Sequence, residues 1–238
     1  MRIGLLTVLA LAGCSSPGGD GFQDAFRITD QMRAAALESA DISAMRGGLD
    51  YIAAWHVDRR TGVAGALKPG LDDAALDAME AELGCKLPRE LRALWRWRDG
   101  YPETATADSF VWYHRLMPAD EAMQQYRILR SQHMFGWDRS WFPVMFFQGE
   151  WYFVECAPAT VEASPLMYYF AETGPQEAYR SLTSYFATAR EAMENGGVSV
   201  VGPDAEMDAD IKVLAAAHAK HNPGIAFPYY VPERNRAQ

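Results

Sequence analysis

The sequence predicts an α+β fold in which helices pack around a central, mainly antiparallel sheet, with helical extensions at both ends of the chain. Runs with helical periodicity fill residues 23–99, whereas β-rich runs follow one another between residues 142 and 170. A further helical run closes the chain. A regular alternation of strands and helices would predict a parallel sheet, but this order keeps the two classes apart. The α+β prediction rests on that segregation.

The chain opens with a bacterial lipoprotein export signal. Arg2 precedes an apolar run over residues 3–12 that is too short to span a bilayer. The run ends in Leu11-Ala12-Gly13-Cys14, where small residues let a peptidase approach a thiol that can be acylated. We expect cleavage after residue 13 and lipidation of Cys14. Ser15 resembles an outer-membrane sorting signal, so we expect attachment at the periplasmic face of the outer membrane, with the inner membrane or the cell surface as alternatives.

Five segments follow from composition and periodicity. Residues 1–13 form the signal peptide, and residues 14–21, rich in serine and glycine, form a lipidated flexible tether. A helical extension covers residues 22–68, and the main α+β domain covers residues 69–200. Residues 201–238 hold a C-terminal helix and a proline-punctuated tail.

Two helices are predicted in the extension. Apolar residues at helical spacing predict one over residues 23–45, and Gly47-Gly48 is expected to end it. A second helix is predicted over residues 49–57, and Arg59-Arg60-Thr61-Gly62 is expected to end that one. The glycine pair should therefore separate two helices.

A helix–turn–helix unit opens the main domain. Asp72 is the predicted N-cap of its first helix, which Gly84 should end. Pro88 fits the first turn of the second helix, and Asp99-Gly100 should close it. The predicted buried side of this second helix consists of Leu91, Leu94 and Trp95.

Strands are predicted in the middle of the chain, the first of them over residues 110–113. Two β-rich runs, over residues 142–147 and 151–156, flank the short polar turn Gln148-Gly149-Glu150 and predict a hairpin. A further strand is predicted over residues 165–170.

Three more helices are predicted around these strands. One runs from Pro118 to about residue 132, and a second, over residues 182–195, is capped by Ser181. Gly196-Gly197 should end the second, and a last helix is predicted over residues 206–220.

The charge of the chain restricts its partners. The formal net charge is −9 at pH 7 over 238 residues, which argues against nucleic acid or an anionic lipid surface as a direct partner. We expect a cationic protein partner instead. Contact with the membrane is expected only through the lipid anchor.

Motifs for catalysis, metal binding or cofactor binding are lacking in the sequence. His218 and His221 lie one helical turn apart, but zinc hydrolases of this type need an intervening glutamate and a further ligand. We expect both to be solvated histidines at a helix C-terminus. A Gly-x-Ser-x-Gly elbow and a glycine-rich phosphate loop are both missing. The sequence therefore predicts no catalytic residue, no metal and no cofactor.

Two cysteines remain once Cys14 is acylated. Cys85 and Cys156 could form a disulfide in the oxidising periplasm. Their apolar sequence neighbours fit two buried free thiols equally well. Both interpretations stay open at this point.

Strand alternation suggests an interface. Within the predicted strand over residues 151–156, Trp151, Phe153 and Glu155 share one face. The glutamate predicts that this face is partly solvent-exposed, and aromatic side chains are common anchors of binding. The predicted interface adds the acidic residues of a nearby loop, which are Asp99, Glu103 and Asp108.

Several motifs in order resemble the SUKH superfamily, named partly for yeast regulators of cell-wall assembly. The first is Glu80-Ala81-Glu82-Leu83-Gly84-Cys85-Lys86-Leu87-Pro88, which continues to Asp99-Gly100. The second is Trp141-Phe142-Pro143, which leads into the hairpin, and the third is Ser181-Leu182-Thr183-Ser184-Tyr185-Phe186. One position departs from the family pattern, because Glu155 stands where members often have aspartate.

The resemblance implies a SUKH-like domain that binds protein and carries over no catalytic residue. Many bacterial members resemble immunity proteins, which neutralise a toxin delivered by a neighbouring cell. Together with Cys14, this predicts a membrane-tethered module that neutralises a toxin acting in the periplasm. An envelope or cell-wall assembly scaffold, bound to a cell-wall enzyme, is the alternative. A hydrolase with an unrecognised site is a third hypothesis.

Overall fold

The fold is built on a five-stranded antiparallel sheet with helices packed around it, which confirms the predicted α+β class. The computed structural model describes residues 27–103, 109–131, 137–201 and 206–229. The predicted signal peptide, Cys14 and the tether lie outside the described residues.

Within those ranges, the helices are α1 (Asp30–Ser39), α2 (Ile42–Arg59), α3 (Val63–Ala66), α4 (Asp73–Leu83), α5 (Arg89–Trp97), α6 (Ala119–Ser131), α7 (Leu182–Glu194) and α8 (Ile211–His221). The strands are β1 (Arg115–Leu116), β2 (Trp141–Phe147), β3 (Glu150–Glu155), β4 (Leu166–Phe170), β5 (Gly174–Tyr179), β6 (Val198–Val201) and β7 (Glu206–Ala209).

The main sheet has the order β1-β2-β3-β4-β5, and each strand pairs antiparallel with its neighbours. The predicted hairpin is β2–β3, in which Trp141 pairs with Glu155. Its turn places Gln148 at φ 43° and Gly149 at φ 90°. Positive φ at both positions is the geometry of a two-residue hairpin turn, and Gly149 adopts it without steric cost.

The strand prediction is wrong at one place and incomplete at another. Residues 110–113 form a loop with a single bridge, from Val111 to His114, and the strand begins only at Arg115. Strand β5 has the sequence GPQEAY, which lacks the β-branched and aromatic alternation that predicts strands. It forms because its backbone pairs with the edge of β4.

The C-terminal helix also starts later than predicted. Residues 206–209 pair with β6 in a small two-stranded sheet, and the helix begins only at Ile211. Asp210 is its N-cap, because the carboxylate accepts the backbone N–H of Lys212 at 2.9 Å.

The N-terminal extension folds differently from the prediction. A capping box at Thr29 starts α1, and Asp41 starts α2 by accepting the N–H of Ala44 at 2.9 Å. The glycine pair does not end a helix, since α2 continues through Gly47-Gly48 to Arg59. Gly48 is held there by tertiary packing, because a Cβ on it would lie 3.2 Å from the carbonyl oxygen of Phe186 on α7.

The caps of the helix–turn–helix unit are confirmed. The Asp72 carboxylate accepts the N–H of Ala75 at 2.8 Å and starts α4, while Gly84 ends it at φ 72°. Ser181 likewise caps α7. The buried carboxylate of Glu90, on α5, accepts the N–H groups of Leu182 and Thr183 at 3.1 Å, which ties α5 to the start of α7.

Both faces of the main sheet are buried. One face packs with α2, α5 and α7 in the larger hydrophobic core, to which β3 contributes Tyr152 and Val154. The opposite face forms a second cluster with the start of the described chain. This cluster contains Ile28, Leu129, Trp141, Trp151, Phe153, Met167 and Tyr169. In the part of the chain that the structure describes, every helix is too short or too polar to cross a membrane.

Candidate protein-binding groove

A half-open groove of about 910 Å³ lies at the end of β3 and is the candidate functional site. Its walls come from α1, the turn after α4, the end of α6, the turn before β2 and the loop that follows β3. The residues that line it are Arg33, Leu37, Leu83, Gly84, Cys85, Tyr126, Arg130, Asp138, Arg139, Ser140, Glu155, Cys156, Ala157, Pro158, Ala159, Val161, Ala163 and Ser164.

The lining is mostly apolar, and one part of it is open to water. Leu37 on α1 exposes 49% of its surface, which is unusual for leucine in the described residues. Leu83 and Val161 contribute further aliphatic surface to the same groove. An apolar concave surface that also carries a few charged groups is typical of binding sites.

A disulfide fixes one wall of the groove. The structure joins Cys85 to Cys156 with a Cα–Cα distance of 5.8 Å, so of the two interpretations left open by the sequence it adopts the disulfide. Next to it, the backbone N–H of Lys86 donates to the carbonyl of Ala157 at 2.7 Å, and that of Ala157 donates back at 3.0 Å. The turn after α4 is thus bound to the loop after β3 by one covalent and two hydrogen bonds.

An ion pair closes the groove on the side of α1. The Arg33 guanidinium donates to both carboxylate oxygens of Glu155, each at 2.7 Å. The hydrogen bond to Glu155 raises the pKa of Arg33 above its ordinary value. Because the Glu155 side chain is only 18% exposed, this bidentate pair is partly shielded from solvent. The Arg33 guanidinium also donates to the Asp30 carboxylate at 2.9 Å, so two carboxylates already compensate its charge.

Two other arginines carry positive charge at the rim. The Arg130 Nη1 atom donates to the Tyr126 hydroxyl at 3.1 Å, and its guanidinium lies 5.2 Å from the centre of that ring. The same hydroxyl donates to the backbone carbonyl of Arg139 at 3.0 Å. Across the described ranges, neither Arg130 nor Arg139 makes an ion pair with a carboxylate. Asp138 lines the groove too, but its carboxylate accepts the N–H and hydroxyl of Ser140, each at 2.7 Å.

Comparison with protein-family models identifies the family to which this chain belongs. The model of the SMI1 / KNR4 family (SUKH-1) matches residues 70–188. The chain belongs to this family. A search of curated proteins found no match. The match runs from the turn before α4 into α7 and includes the main sheet, whereas α1, with Arg33 and Leu37, lies outside it. The groove is therefore a SUKH-domain surface completed by the extension.

The two aromatics of the predicted interface belong to the core of this SUKH domain. Trp151 and Phe153 do share a face, but they are only 9% and 0% exposed. Trp141 stacks on Phe153 at a centroid distance of 4.5 Å, and Ile28 packs into the same cluster. The expectation of a partly exposed face is therefore wrong for both residues. Of the three, only Glu155 lines the groove.

The acidic loop residues do not join that groove. Asp99 is buried, and its carboxylate accepts the N–H of Ala119 at 2.7 Å and pairs with Lys68 at 2.8 Å. It thereby caps α6 and has a structural role. Glu103 is exposed in a turn, and Asp108 lies outside the described residues.

The C-terminal histidines are not the solvated pair that was predicted. His218 is 1% exposed, and its Nε2 donates to the carbonyl of Ala178 at 2.7 Å. Burial lowers the pKa of His218. His221 points instead to the Glu191 carboxylate at 2.7 Å. Over the ranges that the structure describes, no three potential metal-ligating side chains come together.

The arginines and Tyr126 are the residues that sequence reasoning missed. An arginine on an amphipathic helix ordinarily marks a solvated face, as it does for Arg127. Arg33 and Glu155 are 122 residues apart, so no local pattern reports their contact. The weak signal was Leu37, a large apolar residue close to charged ones on a helix.

Proposed function

We propose that this protein is a membrane-tethered, protein-binding module of the immunity type, which neutralises a toxin that acts in the periplasm. The observation that carries the proposal is the SUKH-1 match over residues 70–188. The family is generally non-catalytic, and membership is compatible with an immunity-type or cell-wall-related binding role. The largely apolar groove with charged groups at its rim supports binding as the activity.

The proposed location follows from the first fourteen residues. We infer that Cys14 is acylated and holds the domain at the periplasmic face of the outer membrane. The Cys85–Cys156 disulfide supports an oxidising compartment, since such bonds persist in the periplasm and are rare in the cytosol. From the net charge of −9, the toxin is proposed to be cationic overall.

Acylation is tested by labelling cells with an alkyne fatty acid. The wild-type chain should incorporate the label and sediment with membranes, whereas Cys14→Ala should do neither. Ser16→Ala serves as a matched control that should behave as the wild type. An unlabelled wild-type chain would contradict the proposed anchor.

Neutralisation is tested by co-expression with a toxin encoded by a gene adjacent to this one, where such a gene exists. A host that exports the toxin to the periplasm should survive when it also makes the full chain. A version that begins at residue 22 stays in the cytoplasm and should not protect. If the exported toxin remains lethal beside the full chain, the immunity function fails for that pair.

The alternative function, an envelope or cell-wall assembly scaffold, is favoured by the cell-wall members of the family. It predicts that deletion of the gene changes cell shape or detergent sensitivity in monoculture. The immunity function predicts a defect only in the presence of a competitor that delivers the toxin. The two phenotypes therefore separate the functions.

A further inference from the structure

We propose that the groove receives a segment of the partner protein that carries apolar side chains and at least one carboxylate, with Arg130 and Arg139 as the carboxylate-binding groups. This inference rests on the proposed binding function and deepens it by naming the surface and the chemistry of the contacting segment. The apolar wall of the groove would contact the apolar side chains of the partner segment, and the arginines at the rim would bind its carboxylate.

The apolar part of the proposal follows from Leu37. Leu37 is 49% exposed, and a partner that removes this apolar surface from water lowers the free energy of the complex. Leu37 faces a groove of about 910 Å³, which lies within the range of roughly 300–1,000 Å³ that is typical of ligand sites. A few apolar side chains of an inserted segment would bury this surface, as anchor residues do at interfaces.

The carboxylate of the partner segment is inferred from the positive charge that the groove leaves without a carboxylate partner. Three arginines and two carboxylates line the groove, and Arg33 is already paired with Glu155 and with Asp30. Asp138 accepts two hydrogen bonds from Ser140. Arg130 and Arg139 thus lack carboxylate partners among the described residues, and a guanidinium prefers a carboxylate that it can contact through two N–H groups.

The site is also ordered before it binds. The Tyr126 hydroxyl accepts from the Arg130 guanidinium and donates to the backbone carbonyl of Arg139, so one side chain holds the Arg130 guanidinium and the Arg139 backbone in place. The Cys85–Cys156 disulfide holds the facing wall. Such pre-ordering lowers the entropic cost of binding, which favours a defined ligand over a non-specific one.

A partner that is cationic overall can still carry an acidic contact segment, because net charge and local contacts act at different ranges. The net charge of −9 acts over long range and steers encounter, whereas the groove sets which few side chains make contact. A toxin that is basic overall can carry one apolar, acidic segment that enters the groove.

The test selects random dodecapeptides displayed on phage against the immobilised full-length chain with its disulfide intact. Recovered peptides are labelled with fluorescein, and their dissociation constants are measured by anisotropy. Arg130→Gln/Arg139→Gln is the test variant. Arg127→Gln is the matched control, because Arg127 lies on the same helix but outside the groove and pairs with Glu82.

We expect peptides that combine leucine, isoleucine or phenylalanine with aspartate or glutamate. The double variant should bind them at least about tenfold more weakly, while Arg127→Gln should stay within about twofold. Replacing the peptide's carboxylates by amides should weaken binding to the wild type but not to the double variant.

Other outcomes overturn the proposal. They are enrichment of basic or purely apolar peptides, no enrichment at all, and equal binding by the double variant. Binding of dodecanoate without any enriched peptide would overturn it in favour of a lipid occupant.

If the double variant still neutralises the toxin as the wild type does, the groove proposal fails while the immunity function stands. If the wild type does not neutralise, the function fails whatever the peptides show.

Discussion

Burial determines the protonation of the histidine that joins α2 to the loop before β1. His56 is 1% exposed, its Nε2 lies 2.8 Å from the carbonyl of Phe110, and its Nδ1 lies 2.7 Å from the Thr61 hydroxyl. A neutral ring fits both partners, since Nε2–H donates to the carbonyl and Nδ1 accepts from the hydroxyl. Burial lowers the pKa of His56 from 6.5 to about 4.

This shift predicts that acid destabilises the fold. The unfolded chain binds a proton at His56 below pH 6.5 and the folded chain only near pH 4, so stability is lost as pH falls between these values. The full effect is about 3 kcal/mol. Urea unfolding from pH 7 to 4.5 should therefore show a flatter profile for His56→Gln than for the wild type, because the variant lacks this imidazole. Equal slopes for wild type and His56→Gln would contradict the assignment.

Glu90 acts in the opposite direction. Burial raises the pKa of its carboxyl to about 7, above the ordinary 4.5, so the folded chain binds this proton more tightly. Its contribution is fully present below pH 4.5 and is lost as pH rises through 7. The wild-type profile therefore combines these two groups with other buried groups, such as His218, and the difference between wild type and His56→Gln isolates His56.

Among the helices and strands, the caps are predictable from the sequence, whereas the elements that depend on tertiary packing are not. Asp72 and Gly84 act through their own backbone and nearest neighbours, so their sequence context is sufficient. Gly47-Gly48 has the local character of a helix end, yet α2 continues because α7 packs against Gly48. Strand β5 and the pairing of residues 206–209 depend in the same way on a partner strand that no local window contains.

The close approach of α2 and α7 gives the second prediction. Gly48→Leu forces a side chain against the Phe186 carbonyl, which a Cβ alone would approach to 3.2 Å, and should cost about 1–3 kcal/mol of unfolding free energy. Gly47→Leu is the matched control, because its Cβ would meet only the Arg190 side chain, at 3.9 Å. It should leave stability unchanged or slightly raised, as leucine favours helices. Equal losses in both variants would show that helix packing is not the reason.

The candidate site was less predictable than the fold. Glu155 was singled out from strand alternation, and it does line the groove. The arginines were not, since Arg33, Arg130 and Arg139 come from two helices and a turn that meet only in the folded chain. Alternation also cannot report that Trp151 is buried, because Ile28, which is distant in sequence, packs into the same cluster.

At the scale of the whole molecule, the disulfide links the helix–turn–helix unit to the sheet. It joins residues 71 apart in sequence and so restricts a long loop of the unfolded chain. Reduction, or Cys85→Ala/Cys156→Ala, should lower the unfolding free energy by about 3–4 kcal/mol. Urea titrations with and without dithiothreitol measure this, and the double-alanine variant should not respond to the reductant. An oxidised wild type no more stable than the reduced one would contradict this prediction.

The extension connects the proposed anchor to the proposed binding surface. Helix α1 lies outside the SUKH-1 match, yet it supplies Arg33 and Leu37 to the groove. Eight residues separate the end of the proposed tether, at residue 21, from the start of this helix at Asp30. The lipid anchor would therefore keep the groove close to the membrane, where a toxin entering the periplasm first becomes accessible.

We propose that the protein neutralises its toxin by binding it rather than by altering it. The most direct measurement titrates a fixed amount of the purified toxin with the protein and records the remaining toxin activity. We predict a linear loss that reaches zero near one equivalent, with full recovery of activity once the complex is denatured and the toxin refolded. Complete inactivation at a small fraction of an equivalent, growing with time and not recovered, would contradict binding and indicate an enzyme.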